Sequence, residues 1–377
     1  MTNLVNLVSM ANLDQKKKHL MIMAAGTGGH IFPGLAIADE MQSRGWSVSW
    51  LGTKTGMEGE IVAKHGIVMD QLDFTGLRGK DWKHSLTGAY KLIASFFSCI
   101  DIVRMRRPDV VLGMGGYVTV PGGVSSALMG VPLVLMNADA PLLLSNKTLK
   151  PFAKKLMFGL PSTISNAAVQ ERKFVFTGNP IRREICDLDL PQQRYAQHQG
   201  PLKILVVGGS LGARVLNEAV PDALALIPEA QRPLVTHQSG KQHVNDLRQR
   251  YEKNGVQAEV LDFIHDMPQR YAQADLVICR AGAITVSELT AVGVASVLVP
   301  LVASSTSHQK ANAAWLSAAG GAVHLPQTEL NATSLAELIQ GMHRERCLQL
   351  AAKAYELGKR DASATIAAIL EDLAKRK

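Results

Sequence analysis

Twice in this chain a short apolar run ends in a glycine-rich turn that opens an amphipathic stretch. The first run is Leu20-Met21-Ile22-Met23-Ala24-Ala25, followed by Gly26-Thr27-Gly28-Gly29-His30. The second is Ile204-Leu205-Val206-Val207, followed by Gly208-Gly209-Ser210-Leu211-Gly212-Ala213. A strand-to-helix turn without Cβ atoms lets backbone N–H groups close on an anion, where the helix dipole adds its positive end. One such turn predicts a nucleotide site. Two predict two sheets facing each other across a cleft. The first turn also carries His30, whose imidazole titrates near neutral pH.

The apolar runs around these turns alternate with helical spacing. In the first half, strands are expected at 20–25, 46–51, 67–72, 109–113 and 132–136, with helices at 33–44, 57–65, 86–106 and 120–130. In the second half, strands are expected at 203–207, 232–237, 257–261, 275–279 and 295–299, with helices at 212–227, 241–253, 282–292 and 307–318. This βαβ rhythm implies parallel sheets covered on both faces, and so an α/β fold of two doubly wound domains. The expected divisions are a flexible leader over 1–18, a first domain over 19–180, a second over 181–345, and helices over 346–377 that could pack on either domain. In open α/β sheets ligands bind at the carboxyl ends of the strands.

Composition narrows the partners. A net charge of +8 suits a nucleotide, a phosphate or an anionic lipid head group. Aromatic residues are only 5% and no nucleic-acid-binding signature stands out, so nucleic acid is not expected. Cys99, Cys186, Cys279 and Cys347 lack metal-ligand spacing, which predicts free thiols and no metal site. Val110 to Ala138 carries no charge and exceeds the roughly 20 residues of a spanning helix. Its glycines and prolines break it into a buried strand, a loop, a helix and a second buried strand. Asp187-Leu188-Asp189 has the spacing of a metal-binding acidic pair, but it falls at the domain boundary and reads as a solvated linker.

The turns are not dinucleotide fingerprints. Gly26-Thr27-Gly28-Gly29-His30-Ile31 has Ile where a third glycine belongs, and the strand ending near Leu51 has no acid for a ribose. No phosphate-loop sequence with a Gly-Lys-Ser/Thr end exists. A third stretch, Cys279-Arg280-Ala281-Gly282-Ala283-Ile284-Thr285-Val286-Ser287-Glu288, again runs from strand to small-residue turn to helix. Its early N–H groups would face a phosphate. Glu288 either accepts hydrogen bonds from a ribose diol or simply favours the positive end of its helix.

Several segments together resemble the MurG family of UDP-N-acetylglucosamine:lipid I transferases. They are Gly26 to Gly34, Gly76-Leu77-Arg78-Gly79-Lys80, Pro108 to Tyr117, Gly178-Asn179-Pro180-Ile181-Arg182, Val206 to Arg214, His237-Gln238-Ser239-Gly240-Lys241 and Cys279 to Glu288, in the family's order. The resemblance implies a GT-B fold of two Rossmann-like domains. It implies an inverting transfer of N-acetylglucosamine from UDP to the 4-hydroxyl of the muramoyl sugar of lipid I, giving lipid II and UDP in cell-wall synthesis. Carried over by position, Ser210 would contact the diphosphate, Ile264 would present its backbone to uracil, and Arg182 would lie near the nucleotide. Ala283, Ile284, Thr285, Val286, Ser287 and Glu288 would hold phosphate and ribose, Gln309 would meet sugar hydroxyls, and Thr27, Gly28 and Gly29 would line the sugar.

Two departures touch the sugar. Met136-Asn137-Ala138-Asp139 replaces the family's His-Glu-Gln-Asn, so Asp139, or Asn137 after a one-residue shift, would meet the sugar. Ala303 to His308 replaces a charged, amide-rich loop before Gln309. His30 is the candidate base for the acceptor hydroxyl, with Tyr117 a second acceptor-side candidate. Helix N-termini can stabilise the leaving diphosphate, so no cofactor is expected. Arg78, Lys80, Trp82 and Lys83 are expected to face an anionic phospholipid surface at the cytoplasmic side of the inner membrane. Phe96 and Phe97, on the helix that follows, are expected in the core. The resemblance leaves room for other cell-wall synthesis proteins as partners. Other readings are a different GT-B glycolipid synthase, a UDP-sugar epimerase and a non-catalytic UDP-sugar-binding subunit.

Overall fold

The computed structural model describes residues 17–26, 28–73, 82–161, 172–209, 212–302 and 308–375, with 82–90 described as backbone alone. Thr27, Arg78, Lys80 and Ser210 lie outside the described residues, as do the side chains of Trp82 and Lys83 and, Lys17 and Lys18 apart, the expected leader.

The first domain is a seven-stranded parallel sheet in the order β3-β2-β1-β4-β5-β6-β7. Its strands are β1 (His19–Ala24), β2 (Ser47–Thr53), β3 (Val68–Leu72), β4 (Val110–Gly115), β5 (Leu133–Asn137), β6 (Lys155–Phe158) and β7 (Phe174–Phe176). The central strands are buried along nearly their whole length, because helices cover both faces. These helices are α1 (Gly28–Ser43), α2 (Glu58–Lys64), α3 (Trp82–Arg106), α4 (Thr119–Leu128) and α5 (Leu144–Leu149). The uncharged stretch from Val110 to Ala138 divides into β4, α4 and β5. Among the described residues, no helix is long and apolar enough to cross a membrane.

The second domain repeats the plan with six parallel strands in the order β10-β9-β8-β11-β12-β13. They are β8 (Lys203–Val207), β9 (Leu234–Gln238), β10 (Glu259–Leu261), β11 (Leu276–Cys279), β12 (Ala295–Leu298) and β13 (Val323–His324). Two short helices, α6 (Arg183–Cys186) and α7 (Pro191–Gln197), lead into it. Around the sheet lie α8 (Arg214–Ala225), α9 (Val244–Lys253), α10 (Met267–Gln273), α11 (Ala283–Val292), α12 (His308–Ala318) and α13 (Ala332–Gln340). In both sheets the strand order reverses beside the first strand, between β1 and β4 and between β8 and β11. Such reversals open a crevice at the carboxyl edge.

The helices expected over 346–377 divide at Gly358 into α14 (Arg344–Leu357) and α15 (Ala362–Lys375). α14 packs on α11 and β12 of the second domain, whereas α15 returns to the first and lies on α1 and β4. Ile366, Ala367, Leu370 and Ala374, spaced for one helical face, join the core made by Leu20, Ile22, Leu35 and Ile37. Lys18 Nζ donates to the Ala374 carbonyl at 3.1 Å, and Arg44 pairs with Glu371 at 3.1 Å. The chain therefore crosses between the domains twice. The crossings touch: a Cβ on Gly178 (φ +81°) would lie 2.3 Å from Lys359 Cβ.

Phe97 departs from the core position expected for it. It is 60% exposed, because Leu92, Ser95, Cys99 and Val103 form the buried stripe of α3 and leave Ile93 and Phe97 on the opposite side. Phe96 is half-buried and meets Phe97 edge to face.

Candidate active site

The carboxyl edges of the two sheets meet at one cleft. On the first-domain side, β1 ends at Ala24 and α1 begins at Gly28, so Gly26 lies between the strand end and a helix N-terminus. His30 sits in the first turn of α1. Its Nδ1 is shielded from solvent and has no hydrogen-bond partner. Burial lowers the imidazole below its ordinary value, while the Asp139 charge and a backbone hydrogen bond at Met114 act in the opposite direction. A neutral imidazole with an unspent nitrogen is equipped to take a proton. Gly115, at the end of β4 (φ +126°), makes room for the ring: a Cβ there would lie 2.6 Å from His30 Cε1. Tyr117, two residues on, is 44% exposed at the same edge.

A buried carboxylate supports this turn. Glu58, in the first turn of α2, has no solvent exposure and accepts from Thr53 N–H at 2.9 Å and Thr53 Oγ1 at 2.6 Å. Its other oxygen accepts from the Gly26 N–H at 3.3 Å. The end of β2 and the first glycine turn are thereby tied through one side chain. Glu58 was not singled out from the sequence, because its partner Gly26 lies 32 positions away.

The loop after β5 separates the two residues proposed for the sugar. Asn137 is fully buried and its amide is spent on structure. Nδ2 donates to the Asp139 and Pro141 carbonyls at 2.7 and 3.1 Å, and Oδ1 accepts from Leu143 N–H and Asn146 Nδ2 at 2.9 and 3.1 Å. Asp139 is half-buried at the cleft, its Oδ1 accepting from Asn312 Nδ2 of the second domain at 2.9 Å.

On the second-domain side, α11 starts at Ala283 with Gly282 as its N-cap and no side chain capping it. The N–H groups of Ala283, Ile284 and Thr285 thus open a helix N-terminus suited to a phosphate. Val286 is in the core, and the Ser287 hydroxyl accepts from Asn179 Nδ2 at 2.9 Å. Glu288 Oε1 accepts from Arg182 Nη2 at 3.3 Å, and its Oε2 accepts from the Tyr271 hydroxyl at 3.1 Å. Burial raises the Glu288 carboxyl above its ordinary range, and Arg182 and Tyr271 oppose that rise. Tyr271, on α10, was not singled out from the sequence. Ile264, in the loop after β10, buries its side chain and offers only backbone. Gln309, in the first turn of α12, accepts at its Oε1 from the Leu301 N–H at 2.9 Å, leaving its NH2 as the donor.

The acidic pair at the boundary stays apart from the cleft. Asp187 pairs with Arg183 in an exposed bridge at 3.4 Å, and the Asp189 carbonyl accepts from Arg194. Among the described residues, no cluster of histidines, cysteines and carboxylates could hold a metal ion.

Comparison with known proteins agrees with this arrangement across both domains. The glycosyltransferase family 28 N-terminal domain matches residues 20–158, and the family's C-terminal domain matches residues 203–366. A UDP-N-acetylglucosamine--N-acetylmuramyl-(pentapeptide) pyrophosphoryl-undecaprenol N-acetylglucosamine transferase from Janthinobacterium sp. (strain Marseille) is 63% identical over 95% of this chain and 99% of its own. The enzyme of the same name from Herminiimonas arsenicoxydans is 64% identical over the same shares. The crystal structure of Acinetobacter baumannii MurG superposes with a TM-score of 0.80 at 35% identity, covering 94% of this chain and 99% of that one. The chain belongs to glycosyltransferase family 28 and, within it, to the MurG transferases.

Proposed function

We propose that this enzyme transfers N-acetylglucosamine from UDP-N-acetylglucosamine to the 4-hydroxyl of the muramoyl sugar of lipid I, inverting the anomeric centre and releasing UDP. The observation that carries the reading is the facing pair of switch points. One offers an uncapped helix N-terminus with Glu288 within its second turn, and the other offers His30 with an unspent nitrogen. In this mechanism the diphosphate lies at the N-terminus of α11 and at the turn carrying Ser210, where N–H groups stabilise the charge that develops on the leaving group. The Glu288 carboxylate takes the ribose diol. Arg182 balances the charge beside it.

His30 removes the proton of the acceptor hydroxyl as that oxygen attacks the anomeric carbon, and Tyr117 borders the acceptor. Thr27, Gly28 and Gly29 leave room for the sugar, while Asp139 and the Gln309 amide meet its hydroxyls. These groups supply proton removal and leaving-group stabilisation, so the reading needs no resident cofactor.

The acceptor is a membrane lipid, and the enzyme works on it peripherally. The finer reading places it on the cytoplasmic face. In the sequence Arg78 and Lys80 come before α3, Trp82 and Lys83 are its first residues, and the helix exposes Lys91, Ile93 and Phe97 further along the chain. Basic and large apolar groups along one stretch of the chain suit an anionic lipid surface.

One experiment tests the reaction and the base together. UDP-N-acetylglucosamine and a lipid I analogue are mixed with the parent enzyme and with His30→Ala, and lipid-linked disaccharide is measured. The parent makes the disaccharide. His30→Ala loses at least a hundredfold in kcat with UDP affinity retained, and near-parental turnover would remove His30 from the mechanism.

A further inference from the structure

The loop after β5 is gripped by a side chain from the opposite domain. Asn312, on α12, has no solvent exposure. Its Oδ1 accepts from the Ala140 N–H at 3.0 Å. Its Nδ2 donates to Asp139 Oδ1 at 2.9 Å and to the Ala281 carbonyl at 3.0 Å. Two of these partners belong to the first domain. The third is the residue before Gly282, the N-cap of the phosphate-facing helix. One amide therefore joins the acceptor-side loop to the donor-side phosphate turn, using both of its hydrogens and its oxygen.

We infer that Asn312 is a positioning residue for the transfer: by holding Asp139 and Ala140 against Ala281, it keeps the sugar-facing loop of the first domain in register with the phosphate turn of the second. The inference rests on the reading of this cleft as the donor site. Only a group that donates and accepts at once satisfies all three partners, and an asparagine amide does so. A carboxylate of the same shape keeps the bond from Ala140 and loses both donations. It also sets a negative charge against Asp139. Asn179 holds the same loop from the linker, donating to the Ala138 carbonyl at 3.0 Å and to Ser287 Oγ at 2.9 Å. Residues 138, 139 and 140 are thus each fixed from outside their own sheet. Asp139 Oδ2 is left to accept from a sugar hydroxyl. Transfer is sensitive to such register, because a displacement of about 1 Å at reacting groups can cost about a hundredfold in rate.

The test is a double-mutant cycle on the full chain with Asn312→Asp, Asp139→Asn and the two combined. The readouts are kcat and KM for disaccharide formation, UDP affinity by calorimetry, and the thermal midpoint. In the parent background Asn312→Asp should lower kcat at least thirtyfold, with UDP affinity within threefold. In the Asp139→Asn background donor and acceptor are exchanged across that pair, so the same change should cost at least threefold less than in the parent, the remainder being the lost donation to the Ala281 carbonyl. Equal costs in the two backgrounds would overturn the inference, as would a parental kcat in Asn312→Asp. If Asn312→Asp does not fold, Asn312→Ala reads the same contact without the charge, and a kcat drop below threefold overturns the proposal. A parent that fails to bind UDP refutes the donor-site reading instead, so the two failures are told apart.

Discussion

Tyr271→Phe removes one hydroxyl and leaves a buried ring of nearly the same shape. The parent ring is 1% exposed, so packing around it is retained. The lost contact is the 3.1 Å hydrogen bond to Glu288 Oε2, which leaves Arg182 as the partner still holding that carboxylate. Hydrogen bonds to charged groups contribute about 1.5–3 kcal/mol, and each 1.4 kcal/mol is about tenfold in affinity. UDP affinity should therefore fall by about tenfold or more, through a carboxylate no longer aimed at the ribose diol. The fall should be specific to that diol. Calorimetric titration of UDP and 2′-deoxy-UDP separates the effects: UDP weakens about tenfold, whereas the deoxy nucleotide weakens less than threefold. The pH dependence adds a second signature. Burial already raises the Glu288 carboxyl and Tyr271 opposes the rise, so the variant should protonate, and lose UDP, at a higher pH than the parent. An equal loss for both nucleotides, or none for either, would refute the assignment of Tyr271 and Glu288 to ribose recognition.

Other outcomes follow from features described above. Gly115→Ala places a Cβ 2.6 Å from the His30 ring on a backbone of φ +126°, so kcat for disaccharide formation should fall at least tenfold while calorimetric UDP affinity holds. His237, buried between Tyr251 and Asn217, is pushed down to about 3 by burial, so protons favour the unfolded chain as pH falls below the ordinary imidazole value. Its share of the lost stability should reach ~2 kcal/mol at pH 5, and His237→Gln should shrink the difference between urea midpoints at pH 7.5 and pH 5. Replacing Arg78, Lys80 and Lys83 by Gln should weaken binding to anionic vesicles by roughly two orders of magnitude, at about 1 kcal/mol per basic residue, in a sedimentation assay at fixed salt.

The two-sheet fold was legible because parallel strands buried on both faces leave uninterrupted apolar runs. Leu20 to Ala24 and Ile204 to Val207 are of this kind, and glycine punctuates each carboxyl end. β6 and β7 were not expected. They have four and three residues, and Lys155 and Lys173 sit at their margins, so neither run stands out. The exposed position of Phe97 was hidden for a different reason: α3 carries large apolar residues on more than one side, and periodicity alone cannot say which side meets the sheet. At the cleft, the turns that present backbone were visible because their chemistry is local. The side chains that hold those turns were not. Glu58 reaches Gly26 across 32 positions and Asn312 reaches Asp139 across 173, and neither pair leaves a spacing pattern. The substitution of Asp139 for the family's Asn gained a partner only when α12 was seen beside it.

The return of α15 to the first domain sets an order on the folding of a chain made from its N-terminus. Leu20, Ile22, Leu35 and Ile37 leave the ribosome early, yet the helix that completes their core is residues 362–375. The second domain, with α14 already on it, can close before the first has its last element. Until α15 arrives, the first domain carries an unfinished apolar seam along α1 and β4 that is open to mispairing or chaperone capture. Residues 19–180 expressed alone would keep that seam permanently, so the half of the protein that emerges first is the half that matures last.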